Sequence, residues 1–489
     1  MTHDIIGTIS IDELELSPSS TLLKRLFELK KDVFSDLERI VFTCFSPVDQ
    51  QTLYFIEWCC YYVDIPFFFV KVNTDQDIVK NFFKDVDPDI YVYTDMLDRN
   101  VMIESNTTPL FYNSTLCTHP WTGIHAWPDG KTSVCCEFNG NIGSYNINSD
   151  SIEDIFYSSE MDEIRESFRN GITPSACVSC TRKEDQGFQS KRQIALHKHR
   201  NMLKHIDFET QGNLMFLGGH LGNLCNLKCR ICSSFFSSQI SAEDVKHGTH
   251  IEKADAKVHL QEHVWNRKEF NFWDSIKQKN SLINFEFLGG ETLLQKENLS
   301  YLQWLVDTGA SKDCMFEITT NGTVVPDVLE RYSDKFLNFS ITLSIDNIGD
   351  RFELERRNAN WEDVEKNVAK FCSLPNCSIG INTTVNIQNV YYLPELLEWA
   401  KTTQISYHHL NVLNSPEFFN IYSLVPSFKE LVIDKLETVD NQDIQRILNI
   451  VRNASNSDGK EFREFMQHKD KIRNDNFAVS HPEVAECYY

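Results

Sequence analysis

Apolar positions in the N-terminal hundred or so residues alternate between two spacings. They recur every three to four residues over 19–33, 49–63 and 75–86, the period of a helix with one buried face. They gather into short β-branched and aromatic runs over 39–44, 66–72 and 90–93, which read as strands. This predicts a small α/β layer. It holds no glycine-rich loop of the kind that cradles phosphate, so recognition of a substrate or partner is its default role.

From Cys117 the texture shortens into a hairpin. Residues 122–127 and 131–135 flank Pro128-Asp129-Gly130, in which proline presets φ and glycine accepts a positive one. Ser151, with Asp154 three residues on, caps a helix that runs to about residue 169, and Gly171 ends it. Residues 191–205 read as a helix carrying Lys191, Arg192, Lys198, Arg200 and Lys204. A solvated face is one reading of those cations, and a docking face for an anionic substrate group or an electron donor is the other.

After Gly212 short apolar strands are expected at 213–217, 284–288, 315–319, 337–345, 378–385 and 406–413, with helical stretches between most of them. Parallel βα units read this way. Six are too few to close an eight-stranded barrel, so the prediction is a partial (βα)6 barrel open on one side. Beyond residue 425 the pattern is helical, over 427–438, 443–453 and 459–473.

Charge narrows the partners. Lys and Arg number 47 against 70 Asp and Glu, a net charge of −23, and so acidic a surface repels polyanions. Nucleic acid is therefore not an expected partner. Residues 1–16 lack the basic start and apolar run of a signal peptide, which predicts a cytoplasmic protein. The stretch nearest to a membrane span, 53–72, is broken by Glu57, Asp64 and Pro66, so no membrane segment is expected. The chain has 15 cysteines, and in a reducing compartment these point to metal before disulfides. One group is Cys117, Cys135, Cys136, Cys177 and Cys180, and another is Cys225, Cys229 and Cys232. The others are scattered and read as small buried hydrophobes.

The second group, Cys225-Asn226-Leu227-Lys228-Cys229-Arg230-Ile231-Cys232, is a Cx3Cx2C loop just after an expected strand. Three thiolates this close can bind three irons of a [4Fe–4S] cluster and leave the fourth iron open; zinc is the alternative for the loop taken alone. The loop resembles that of the radical S-adenosylmethionine superfamily, in which it follows the first strand of a (βα)6 partial barrel. Three further motifs carry the resemblance: Gly289-Gly290-Glu291 ends the second expected strand, Thr320-Asn321-Gly322 the third and Ser344-Ile345-Asp346 the fourth. In βα barrels functional residues sit at the C-terminal ends of strands, where all four motifs fall in order. The resemblance implies that the open iron is chelated by the amine and carboxylate of S-adenosylmethionine, and that the cluster reduces the sulfonium to release a 5′-deoxyadenosyl radical that abstracts hydrogen from substrate. It also implies that Gly289, Gly290 and Glu291 hold the cofactor's amine and that Asn321, Ser344 and Asp346 contact its methionyl and ribose groups. Ile231 stands where the superfamily commonly has an aromatic residue, and it can pack against adenine without stacking on it.

In the first group, Cys117 is followed by Gly130, four further residues and Cys135, and later by Cys177-Val178-Ser179-Cys180. This resembles the twitch module, the shorter relative of the SPASM domain, which binds an auxiliary [4Fe–4S] cluster. The resemblance implies Cys117, Cys135, Cys177 and Cys180 as four protein ligands, with Cys136 competing for the place of Cys135. A four-cysteine zinc site is the alternative from the residues alone. Here the module precedes the barrel, whereas in better-known members it follows it.

Residues 351–357 offer guanidinium forks or simply a charged helix start, and of His408 and His409 at most one can face inward. The expected organisation is a small α/β domain at 1–105, the twitch-like module at 106–190, a basic helical linker at 191–211, the barrel at 212–425 and a helical segment at 426–489. The resemblance implies a radical S-adenosylmethionine enzyme with two [4Fe–4S] clusters that modifies a peptide or protein and receives electrons from a flavodoxin- or ferredoxin-type donor. A sugar or nucleotide-like small-molecule substrate is the alternative. From another class, a non-catalytic iron–sulfur or zinc protein, acting as electron carrier or scaffold, would have no use for the Gly-Gly-Glu motif.

Overall fold

A computed structural model describes four N-terminal strands together with residues 115–198, 206, 208, 210–262 and 272–489. The strands are β1 (Ile6–Ser10), β2 (Arg39–Cys44), β3 (Phe67–Val72) and β4 (Val101–Glu104), one sheet in that order. β1, β2 and β3 are parallel, and β4 runs antiparallel to β3. β2 and β3 lie where the apolar runs predicted them. β1 and β4 were not expected, and the helices expected at 19–33, 49–63 and 75–86 and the strand at 90–93 lie outside the described residues.

The chain forms two compact units: Met1–Thr122 with Ser159–Val178 and Lys191–Asn213, and Gly123–Ser158 with Ser179–Ser190 and Leu214–Tyr489. In the first, Trp121 is fully buried and its indole Nε1 donates to the carbonyls of Phe208 and Thr210, both at 3.1 Å. Arg165 is equally buried and donates to the Pro120 carbonyl at 2.8 Å. The helical stretch predicted from Ser151 is two helices, Ile152–Phe156 and Ser159–Arg169, and Ser151 caps the first by accepting from the Asp154 amide at 3.1 Å.

The second unit is built on a sheet of eight strands. A hairpin supplies β5 (Gly123–Ala126) and β6 (Thr132–Ser133), and six parallel strands follow: β7 (Phe216–His220), β8 (Asn284–Leu288), β9 (Met315–Thr320), β10 (Asn338–Ser344), β11 (Cys377–Val385) and β12 (Tyr407–Val412). The order across the sheet is β12-β11-β10-β9-β8-β7-β5-β6. The six consecutive parallel strands are those of the predicted partial barrel, and the fold class is α/β as expected. The hairpin is continuous with them, since Gly123–Ala126 pairs parallel with Phe216–Gly219.

Alternation explains which faces are buried. In β10, Phe339, Ile341 and Leu343 are within 1% of full burial while Ser340, Thr342 and Ser344 are half-buried on the other face. The helix Trp361–Cys372 answers with Val364, Val368 and Phe371, and Asn360 caps it by accepting from the Asp363 amide at 3.0 Å. Each such apolar side chain contributes about 1.5–3 kcal/mol by leaving water.

The first barrel strand lies three residues later than the apolar run suggested. Its Gly218-Gly219 pair serves close packing. A Cβ on Gly218 would stand 2.7 Å from Nδ1 of His125 on the neighbouring strand. The C-terminal segment is helical, as Pro426–Leu436, Gln442–Asn453, Lys460–Arg473 and two short helices, Phe477–Ser480 and Pro482–Tyr488. Among the described residues no helix is long and apolar enough to cross a membrane.

Candidate metal and cofactor site

Between β7 and the helix Ser238–His247 the chain makes the Cys225–Cys232 loop, and neighbouring strand ends hold its backbone. The Gly290 amide donates to the Gly222 carbonyl at 3.3 Å and the Glu291 amide to that of Leu224 at 2.7 Å. A Cβ on Gly290 would stand 2.5 Å from the Leu224 carbonyl oxygen, so the approach of the two segments requires glycine there. On the loop's other side, Lys228–Cys229 pairs antiparallel with Arg356–Arg357, and the Arg230 amide donates to the Glu355 carbonyl at 2.8 Å.

One short loop carries all three thiols, and two of them feel their neighbours. Burial pushes Cys225 up to about 12, with the Cys229 thiol adding to the effect, and Cys232 is raised by burial and then by Cys229 and Cys225. Sulfurs that feel one another in this way are the donor set a cationic cluster relieves. Among the described residues no three His, Cys, Asp or Glu side chains are grouped to hold a single metal ion. A cubane distributes its ligands over separate irons, so three thiols carried on one short loop are the relevant feature, and the loop fits such a group.

Glu291 is fully buried at the end of β8. Its Oε1 accepts from Thr320 Oγ1 at 2.6 Å and the Leu293 amide at 3.0 Å, and its Oε2 accepts from the Asn321 amide at 2.7 Å. Burial pushes this carboxyl up against the pull of those donors. The carboxylate thus ties the second strand end to the third. Asn321 extends the link, donating with Nδ2 to Asn226 Oδ1 at 2.9 Å inside the cysteine loop.

At the end of β10, Asp346 is buried and accepts through Oδ2 from Arg356 Nε and Nη2 at 3.0 and 2.6 Å, and through Oδ1 from the Thr384 amide at 2.8 Å. The same guanidinium reaches the Cys229 sulfur at 3.9 Å. Of the cations in 351–357, Arg356 is therefore the one that meets the cysteine loop through its side chain. Ser344 is half-buried on the face opposite Leu343, and Ile231 packs against the apolar core of the C-terminal helices. His408 Nε2 donates to Thr383 Oγ1 at 2.8 Å, because that hydroxyl spends its own proton on the Ile345 carbonyl at 2.6 Å. His409 is exposed.

Of the other cysteine group, Cys117 and Cys177 belong to the first unit and Cys135 and Cys180 to the second. Cys135 is buried just past the hairpin, whose turn is closed by the Trp127 amide donating to the Lys131 carbonyl at 2.8 Å. Gly130 has φ +84°, and a Cβ there would collide with Asn146 Oδ1 at 2.2 Å. Cys180 is buried in the helix Val178–Asp185, and Cys136 is half-buried.

Sequence reasoning missed the C-terminal contribution. Arg230, 1% exposed, donates to Asp470 at 2.6 Å and Asp475 at 3.2 Å, and Arg473 donates to Glu243 at 2.8 Å and to the Lys228 carbonyl at 2.9 Å. A signal was present: on the helix Lys460–Arg473 the buried stripe Phe462, Met466 continues at helical spacing into Lys469 and Arg473.

Residues 117–181 match the SPASM iron–sulfur cluster-binding domain. No protein of curated function matches the chain. Its fold is similar to that of "native anSMEcpe with bound AdoMet", at 18% identity and a TM-score of 0.34 over 50% of this chain and 64% of that one. For Streptococcus suis SuiB bound to S-adenosylmethionine the values are 14% and 0.31 over 68% and 65%, and for TYW1 with a lysine–pyruvate adduct bound 11% and 0.24 over 42% and 64%. The chain thus spans less than two thirds of the length of each.

Proposed function

We propose that the chain is a radical S-adenosylmethionine enzyme that modifies a peptide or protein. The placement of Cys225, Cys229 and Cys232 on one loop stitched to Gly290-Glu291 supports this reading most directly. Those three thiolates would hold three irons of a cluster, and the absence of a fourth cysteine from the loop leaves one iron for a small ligand. When bound, the cluster and S-adenosylmethionine together supply one-electron reduction of a sulfonium and, from it, hydrogen abstraction from substrate.

The chain's own part is placement. Glu291 and Asn321 lock three strand-end segments together, which keeps the Gly289-Gly290 backbone beside the cysteine loop for the cofactor's amine. Asp346 orients Arg356 beside Cys229, and Ser344 presents a hydroxyl on the same strand end. Holding these groups before the cofactor arrives lowers the reorganisation cost of binding. Cys117, Cys135, Cys177 and Cys180 would ligate an auxiliary [4Fe–4S] cluster with no open iron, suited to relaying an electron. The match of residues 117–181 supports that assignment. A peptide or protein is the substrate class that this auxiliary-cluster resemblance favours, and a flavodoxin- or ferredoxin-type protein is the donor.

One iron with an open position makes a spectroscopic prediction. S-adenosylmethionine added to the reduced chain is expected to change the paramagnetic resonance of the cluster held by Cys225, Cys229 and Cys232. The auxiliary signal is expected to stay the same. A spectrum indifferent to the cofactor would count against the proposal.

A further inference from the structure

The helix Lys460–Arg473 lies outside every motif of the cofactor site, yet it buries two cations against the cysteine loop's supports. Lys469 and Arg473 are 8% and 9% exposed. Both meet Glu243, itself 5% exposed, on the helix that follows the loop. Arg473 donates to Glu243 Oε2 through Nε at 3.1 Å and to Oε1 through Nη2 at 2.8 Å, and Lys469 donates to Oε1 at 3.0 Å. Lys228 adds a third cation 3.6 Å from the same carboxylate. Burial alone would push Glu243 up, but Arg473 and Lys469 hold it down at about 2, so its carboxylate is ionised around neutrality.

The remaining donor of Arg473 is what connects this cluster to chemistry. Nη1 donates at 2.9 Å to the carbonyl of Lys228, the peptide unit that leads into Cys229. One turn earlier, Asp470 grips Arg230 on the other side of Cys229 at 2.6 Å. The helix therefore fixes the loop from both sides of its central cysteine and brings a buried cation to one of them.

We infer that the C-terminal helix Lys460–Arg473 is a positioning element of the cysteine loop, and that the Arg473 charge, partly offset by Glu243, raises the reduction potential of a cluster held there. This rests on the functional reading above. Reduction adds one negative charge to the cluster, and a cation in low-dielectric surroundings favours the reduced form while a carboxylate opposes it. Arg473 and Glu243 should therefore move the potential in opposite directions. A packing role alone gives no reason for opposite signs.

The test is a potentiometric titration of the reconstituted full-length chain, following the paramagnetic signal that responds to S-adenosylmethionine. R473Q is expected to shift the midpoint to more negative values and E243Q to more positive ones, with R473K close to the parent. Should R473Q fail to fold, the near-isosteric E243Q decides, by an upward shift for the inference or an unchanged midpoint against it. Equal midpoints in all four proteins would overturn the inference and leave the functional reading standing. A parent chain with no reducible cluster on Cys225, Cys229 and Cys232 would overturn the functional reading first, and this inference with it.

Discussion

Replacing Cys225, Cys229 and Cys232 together by Ala is expected to halve the iron of the anaerobically reconstituted chain, from about eight atoms to about four. The expectation follows from the two ligand sets proposed above. One is the loop after β7, where Cys229 adds to the rise that burial gives Cys225, and Cys229 and Cys225 add to that of Cys232. The other lies in the stretch matching an iron–sulfur cluster-binding domain and, on the proposed assignment, would be Cys117, Cys135, Cys177 and Cys180. The triple variant empties the first and leaves the second intact, so the iron that remains should belong to a reducible cluster that ignores S-adenosylmethionine. Metal analysis and paramagnetic resonance of the purified variant measure both properties. Residual zinc in place of iron would convert the auxiliary site into a structural staple. Full retention of iron would remove the loop from the account.

Glu291→Ala is expected to be costly in two ways. Removing the carboxylate strands the Asn321 amide, the Leu293 amide and the Thr320 hydroxyl, all of which it accepts from in a fully buried position. An unsatisfied buried donor costs about 1–3 kcal/mol, so a total loss of about 3–6 kcal/mol in the unfolding free energy is expected after partial relaxation. Affinity for S-adenosylmethionine should fall as well, because the Gly289-Gly290 backbone and Asn321 lose the tie that sets their spacing. Glu291→Gln keeps the shape and one acceptor oxygen, so it should lose less stability than Ala. Denaturant unfolding of the apo-chain and equilibrium binding to the reconstituted chain separate the two effects. Wild-type stability in the Ala variant would show that the three donors find other partners.

The sequence motif marked Glu291 as a cofactor contact, and the structure shows its carboxylate invested in the protein. That investment was not legible, because its partners lie on the next strand and pairing partners leave no local trace. The barrel strands were legible for the opposite reason. Each is a short apolar run, and burial of alternate residues such as Phe339, Ile341 and Leu343 shows directly as period two. Where that signal weakens, reading fails. β7 was misplaced because Gly218-Gly219 carry no apolar side chains to extend the run, and Gly123–Ala126 gave no hint that it would extend the barrel sheet. The cysteines and the Gly-Gly-Glu turn were conspicuous through residue type and spacing. Arg230, Glu243 and Arg473 were not, since charged side chains ordinarily face water and only tertiary packing buries these. Lys469 and Arg473, on a stripe begun by Phe462 and Met466, are the part of that network a helical projection could have found.

The most direct test of the central proposal is the fate of S-adenosylmethionine. The reconstituted chain, reduced by dithionite without oxygen, is expected to convert it to methionine and 5′-deoxyadenosine, measured by chromatography with mass detection, while the Cys225/Cys229/Cys232→Ala chain yields none. Absence of 5′-deoxyadenosine from a parent chain shown to carry its iron, or equal amounts from the parent and the triple variant, would contradict it.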